Sequence, residues 1–383
     1  MRKRFAILIM VFLLTLPVIA QADVWEEGDG FDEVYDILDE VGNRITSFNG
    51  RPEAGDEYIS GDNKHYKVKA VDNEQKTATA DNLGEFELPD VSWLGNDETL
   101  AVSSNREKKI AIYCTHSAES YVPSDGQTHA KIRGGIYDVA DEFKAEMEKF
   151  GVMVEYGEDK HHPHDSGSYR RSRQTAVKLL KTGPDAIFDL HRDGIPNPNE
   201  YITYVAGENA SKVRLLVGRS NQNSAANKDF ATHIKAVGDK LYPGLIKDIY
   251  IGKGSYNQDL SPRGILLEFG THTTSKERAI NSTIPMAEVI YKALYGGITG
   301  AAGAASDINP SNETAGTNEN VGIPSAENDS GAGRGILWVI GVFVIGLIVF
   351  AFIATGSKSE TANKLKRNIS EMTGGIFGKK PQK

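Results

Sequence analysis

The sequence predicts an α/β fold in which a mostly parallel, open sheet is flanked by helices, preceded by a small β-rich domain and followed by a transmembrane helix. Three observations carry this expectation. Three short apolar runs in the middle of the chain, Ile110-Ala111-Ile112-Tyr113-Cys114, Ala186-Ile187-Phe188-Asp189-Leu190 and Gly264-Ile265-Leu266-Leu267, lack strict alternation and read as strands buried on both faces. Around them lie segments of helical period. Near the far end, residues 336–354 carry no charge and have the length of a bilayer-spanning helix.

In chain order, residues 1–22 form a basic head, Arg2-Lys3-Arg4, an apolar stretch and the small-x-small site Ala20-Gln21-Ala22, which together predict an export signal, cleaved after Ala22 or kept as an anchor. Residues 23–108 show short alternating runs such as His65-Tyr66-Lys67-Val68-Lys69-Ala70-Val71 between Gly and Asp turns, and predict a small β-rich module ending in a polar linker. Residues 109–298 change to strand, helix, strand. Ile136, Val139, Ala140, Phe143, Met147 and Phe150 keep helical spacing, Gly151 stops that helix, and Val152-Met153-Val154 begins the next strand. Further helices are expected over 169–181, 225–242 and 277–295, and further strands over 201–206, 214–217 and 248–251. Residues 299–335 are rich in Gly, Ala, Ser and Asn and predict a flexible tether. The span 336–354 then leads to a basic tail, 355–383, whose lysines place it in the cytoplasm and the central region outside.

Composition narrows the chemistry. A net charge of −9 argues against nucleic acid as a partner, because neutralising phosphates requires a basic surface. The single cysteine, Cys114, excludes an internal disulfide framework and cysteine-rich zinc sites. Any metal must be held by His and carboxylate.

Ligands of open α/β sheets gather outside the carboxyl ends of the strands, so residues near the ends of the three apolar runs should converge. His116 and Glu119 follow the first run, His191 stands between Asp189 and Asp193 at the end of the second, and Glu268 ends the third. Two His and one Glu with an open position are a ligand set of hydrolytic zinc, and a carboxylate beside a ligating imidazole fixes its tautomer. Glu268 reads as a general base and acid beside such a site, or as a carboxylate salt-bridged to Arg263. Arg263 itself either forks onto a substrate carboxylate or makes that pair. In the loop His161-His162-Pro163-His164-Asp165, His164 is the residue expected to line the cleft. Cys114 reads as a buried thiol, and Ser117, Ser120 and Ser166 lie in no Gly-x-Ser-x-Gly elbow, which disfavours covalent catalysis.

Several stretches together resemble the stage II sporulation protein P family of cell-wall hydrolases: Thr115-His116-Ser117-Ala118-Glu119-Ser120-Tyr121, His164-Asp165 with Tyr169 and Ser172, Asp189-Leu190-His191-Arg192-Asp193, and Tyr256-Asn257-Gln258-Asp259-Leu260-Ser261-Pro262-Arg263 through Glu268 and Gly270. The resemblance covers residues 109–297 and extends to 55–63. It implies a zinc amidase-like domain that cuts peptidoglycan between the muramic lactyl group and the first L-alanine of the stem peptide. His116, Glu119 and His191 would hold Zn2+ and Glu268 would act as acid and base. It also implies a role in engulfment of the forespore and a partner resembling stage II sporulation protein D, a lytic transglycosylase. Stem-peptide endopeptidase action at the same site, or an inactive wall-binding scaffold, are the alternatives.

Overall fold

Strands too apolar to alternate need cover on both faces, and here each face is covered by different material. The computed structural model describes residues 33–95, 107–165 and 167–296. The export signal, tether, span and basic tail expected from the sequence lie outside the described residues, among which no helix is long and apolar enough to cross a membrane.

The first stretch supplies β1 (Val34–Leu38), β2 (Arg44–Asn49), β3 (Glu57–Ile59), β4 (Lys64–Asp72) and β5 (Thr77–Glu85). Then come β6 (Lys109–Tyr113), helix α1 (Val122–Asp125), α2 (Ile136–Lys149), β7 (Met153–Gly157), α3 (Ser168–Leu180) and β8 (Ala186–Asp193). A two-stranded hairpin, β9 (Ile202–Val205) and β10 (Glu208–Ser211), precedes β11 (Val213–Gly218), α4 (Ser224–Leu241), β12 (Ile246–Gly252), β13 (Gly264–Thr271) and α5 (Lys276–Tyr295). Eleven strands form one sheet in the order β2-β1-β5-β4-β3-β12-β11-β13-β8-β6-β7.

Neighbours β12–β11, β13–β8, β8–β6 and β6–β7 are parallel, as the apolar runs predict. The sheet as a whole is mixed, however, because β13 runs antiparallel to β11 and β3 runs antiparallel to β12. Parallel neighbours need a crossover back to the starting end. The segment between β12 and β13 contains only a short helical turn, Gln258–Leu260, so the chain stays at one end of the sheet and β13 must run back. The strand expected over 201–206 forms, but in the separate hairpin.

Alternation along each central strand sorts side chains between two faces. Ile110, Ile112, Phe188, Leu190, Leu215, Leu267 and Phe269 point to one face, where they share a core with Phe143 of α2, Ile234 of α4 and Val289 of α5. On the opposite face Leu216, Tyr250 and Leu266 pack with Ile37, Phe48, Val68 and Ala80 of the first stretch, and Phe48 stacks on Tyr250 with ring centroids 3.9 Å apart. Farther along that face, Ala111, Tyr113 and Ile187 meet Ala176 and Leu179 of α3.

Between those two apolar clusters the second face is polar. Register places Asp248, Arg214, Glu268 and His191 as successive partners on β12, β11, β13 and β8, a row of alternating acid and base. Arg214 is 0% exposed. Its guanidinium donates to Asp248 (Nε to Oδ1, 2.7 Å), to Asp193 (Nη1 to Oδ2, 2.9 Å), and to Thr46 Oγ1 (3.0 Å) and the Ser47 carbonyl (3.1 Å) on β2. Burial pushes the Asp248 carboxyl up, but Arg214 and Lys247 outweigh it and hold the group at about 2.

Removing one partner from a buried ion pair strands the other without solvation. Arg214→Met should therefore destabilise the fold by about 3–5 kcal/mol, read from urea unfolding at neutral pH. Because the Asp248 carboxyl lies below its ordinary value of 3.8 in the folded chain, its contribution is present above that value and is lost as pH falls through about 2. An Arg214→Met midpoint equal to that of the parent would show that the pair contributes nothing.

Candidate metal centre

The centre begins where β6 ends. Thr115 donates to Asp189 of β8 twice, from its amide to Oδ1 (2.8 Å) and from its hydroxyl to Oδ2 (2.6 Å), which ties the start of the following loop to the neighbouring strand. The Glu119 amide then donates to the His116 carbonyl at 3.0 Å, closing a turn that brings the two side chains to one side. Gly134 lies directly beneath this turn. A Cβ there would stand 2.1 Å from the Glu119 carbonyl oxygen, so only glycine permits the approach.

His116 Nδ1 is 3.0 Å from Glu119 Oε1, and His191 Nδ1 is 3.3 Å from the same oxygen. Glu119 Oε2 accepts from the Arg192 amide at 2.9 Å. The other nitrogen of His191, Nε2, lies 3.0 Å from Asp189 Oδ1. One donor atom from each of His116, Glu119 and His191 lies within 4.8 Å of the others, and this is the cluster among the described residues that can hold a metal ion. The three residues converge as expected, although His191 lies inside β8 rather than past its end.

Charge suits a cation. Burial works against ionising Glu119, but His191, His116 and Arg192 outweigh it and hold its carboxyl well below the usual range. Burial lowers His116, leaving the neutral imidazole that ligation requires. Burial would lower His191 too, yet Asp189 and Glu119 lift it to about 10, so a proton sits where two carboxylates attract positive charge. Two imidazoles and a carboxylate with an open position fit Zn2+, and Asp189 is placed to orient His191 within that set.

Glu268 stands beside His191 in register on β13, also within its strand. Its side chain is 13% exposed. Burial and then Asp193 raise its carboxyl to about 8, against the opposing pull of Arg214 and His191. The Tyr201 hydroxyl donates to Asp193 Oδ2 at 2.7 Å and lies 3.1 Å from Glu268 Oε2.

His164 lies against His116 and His129. Its ring centroid is 4.6 Å from that of His116 and 4.0 Å from that of His129, and burial together with His116 pushes it down to about 2. His161 of the same loop is structural, bonded to the Cys114 carbonyl and to Thr175, and Cys114 is a buried thiol raised well above its ordinary range. Arg263 is the correction. It precedes β13, at the end opposite Glu268, and five residues of strand rise separate the two by about 16 Å, so it neither pairs with Glu268 nor joins this cluster. The arginine facing Glu268 is Arg214, at 3.9 Å.

The long motif containing Arg263 has another use. Asn257 donates to the Tyr169 carbonyl (3.0 Å) and to Ser172 Oγ (3.1 Å), and Ser172 is bonded to Thr115. Tyr169 in turn packs against His116 and His191, with ring centroids 5.4 and 6.3 Å away. The motif therefore supports the floor of the centre. Sequence reasoning did not pick out His129, Tyr201 or Arg214. Only Arg214 left a signal, as a charge inside an otherwise apolar strand.

Residues 40–291 match the family described as Stage II sporulation protein P. The Stage II sporulation protein P of Bacillus subtilis (strain 168) is 27% identical over 208 residues, 48% of this chain and 51% of that protein, so the chain spans about half the length of the curated relative it matches. Among solved structures, an N-acetylmuramoyl-L-alanine amidase from Clostridium difficile 630 is similar at 14% identity over 49% of this chain and 94% of that one, with a TM-score of 0.33. Ami1, an N-acetylmuramyl-L-alanine amidase from Mycobacterium smegmatis, is similar at 16% identity over 49% and 96%, with a TM-score of 0.32.

Zinc titrated into the metal-free full-length protein should displace the His191 proton. Calorimetry in buffers of different ionisation enthalpy should then show about one proton released per ion at pH 8, and affinity should rise between pH 6 and 9. Asp189→Asn should weaken zinc binding by about 10- to 100-fold. Unchanged affinity in that variant would mean that Asp189 does not orient the ligand.

Proposed function

Because the chain belongs to the stage II sporulation protein P family, we propose that it is a zinc-dependent peptidoglycan hydrolase, an N-acetylmuramoyl-L-alanine amidase that frees stem peptides from the glycan. The observation that carries this reading is the adjacency in register of Glu268 and His191, which sets a carboxylate with an elevated pKa next to a His, Glu, His donor set.

His116, Glu119 and His191 would hold the zinc ion, which supplies Lewis acidity to the water and the amide carbonyl that meet there. Glu268 takes a proton from the attacking water as the C–O bond forms. It delivers that proton to the amine nitrogen as the C–N bond breaks. A carboxyl near 8 serves both steps around neutral pH, because neither protonation state is remote. His164 is neutral and flanks His116, so it contributes shape and hydrogen bonding to the cleft wall rather than charge. The export signal and the apolar run 336–354 support a site tethered at the membrane on its extracytoplasmic side, acting in sporulation or a related remodelling of the wall.

The purified full-length protein should release soluble peptides from sacculi, with release lost on chelation and restored by zinc. Glu268→Gln should lower the rate by about 100-fold or more, the contribution of a positioned acid and base. Peptides beginning with a free L-alanine amine, read by mass analysis, would identify the amidase bond, and fragments cut within the stem would identify an endopeptidase instead. Undiminished release by Glu268→Gln would place the base elsewhere.

A further inference from the structure

Among the described residues, the Tyr201 hydroxyl is the only side-chain group within hydrogen-bond distance of the Glu268 carboxylate. Tyr201 is 0% exposed, and its backbone is held at both ends: its amide donates to the Pro198 carbonyl at 3.0 Å, and its carbonyl accepts from the Lys212 amide at 2.6 Å. The Lys247 ammonium lies over its ring, 5.2 Å from the centroid. A phenol so fixed has one proton to give. Asp193, at 2.7 Å, is the nearer acceptor, so the phenol oxygen accepts a hydrogen bond from Glu268 whenever that carboxyl carries its proton.

Asp193 is fixed in turn by Arg214, and Arg214 reaches β2 through Thr46 and the Ser47 carbonyl. The Lys247 ammonium also donates to Thr46 Oγ1, at 3.1 Å. A continuous set of buried hydrogen bonds thus runs from the first stretch of the chain to the carboxylate read above as acid and base.

We propose that Tyr201 is a positioning residue for Glu268, and that β2 holds this arrangement through Arg214 and Asp193. The inference rests on the reading of Glu268 as the acid and base. Tyr201 touches neither the donor set nor, on this assignment, the reacting atoms. Its loss should therefore alter turnover without altering metal or substrate binding.

The test is the steady-state rate of peptide release from a soluble muropeptide by the full-length zinc-loaded protein. Tyr201→Phe should lower kcat by about 10- to 100-fold, as loss of an orienting partner does, with KM within about twofold of the parent. Zinc content should match the parent, and the thermal midpoint should fall by only about a few degrees, because Asp193 loses the phenol but keeps Arg214. A parental kcat in Tyr201→Phe overturns the proposal, and so does a loss accompanied by loss of zinc or by a rise in KM alone. Should Tyr201→Phe not fold, Thr46→Val decides: kcat lower by several-fold with KM and zinc unchanged supports the β2 anchor, and a parental kcat overturns it. A parent that releases no peptide sinks the hydrolase reading and this inference with it, whereas an active parent with an equally active Tyr201→Phe removes the positioning role alone.

Discussion

The row Asp248, Arg214, Glu268, His191 constrains everything around it. Ionised groups inside a sheet are tolerated only when each meets an opposite partner at hydrogen-bond distance, because the cost of leaving water is several kcal/mol per ion. Arg214, with no exposed surface, divides its donors among Asp248, Asp193 and β2, and so neutralises two acids at once. Glu268 receives only the remainder of that charge, from 3.9 Å. It is the least compensated acid in the row, and the one whose carboxyl rises.

On the other side of Glu268 the same accounting favours a cation. Asp189 and Glu119 both face the two nitrogens of His191, and His116 stays neutral beside them. Donor distances near 3 Å among these groups leave a cluster that is over-supplied with negative charge unless a proton or a metal ion joins it. The turn that brings Glu119 beneath His116 depends on Gly134, so a backbone feature with no chemistry of its own decides whether the Glu119 carboxylate reaches the two imidazoles.

Much of this was legible in the residues. The apolar runs ending in His116, His191 and Glu268 identified β6, β8 and β13 and the donor set, since period and burial reveal strands and their ends. The helices over 169–181, 225–242 and 277–295 form within a residue or so of those bounds. What the sequence hid was long-range pairing. β8 and β13 continue through His191-Arg192-Asp193 and Glu268 because those groups find partners across strands, which a linear pattern cannot display. The reversal of β13, which carries Arg263 to the opposite end from Glu268, depends on a connection without a long helix. Tyr201 opens the strand expected over 201–206, but nothing in that pattern marks its hydroxyl, whose value comes wholly from where the chain returns.

The covering of the second face by β2 has a directional effect. Arg214 and Tyr201 have no exposed surface, whereas 13% of the Glu268 side chain stays exposed, so of these three groups Glu268 is the one in contact with bulk water. In the proposed reaction the proton that Glu268 takes from water is the one it hands to the amine, so each cycle closes without a net proton drawn from solvent.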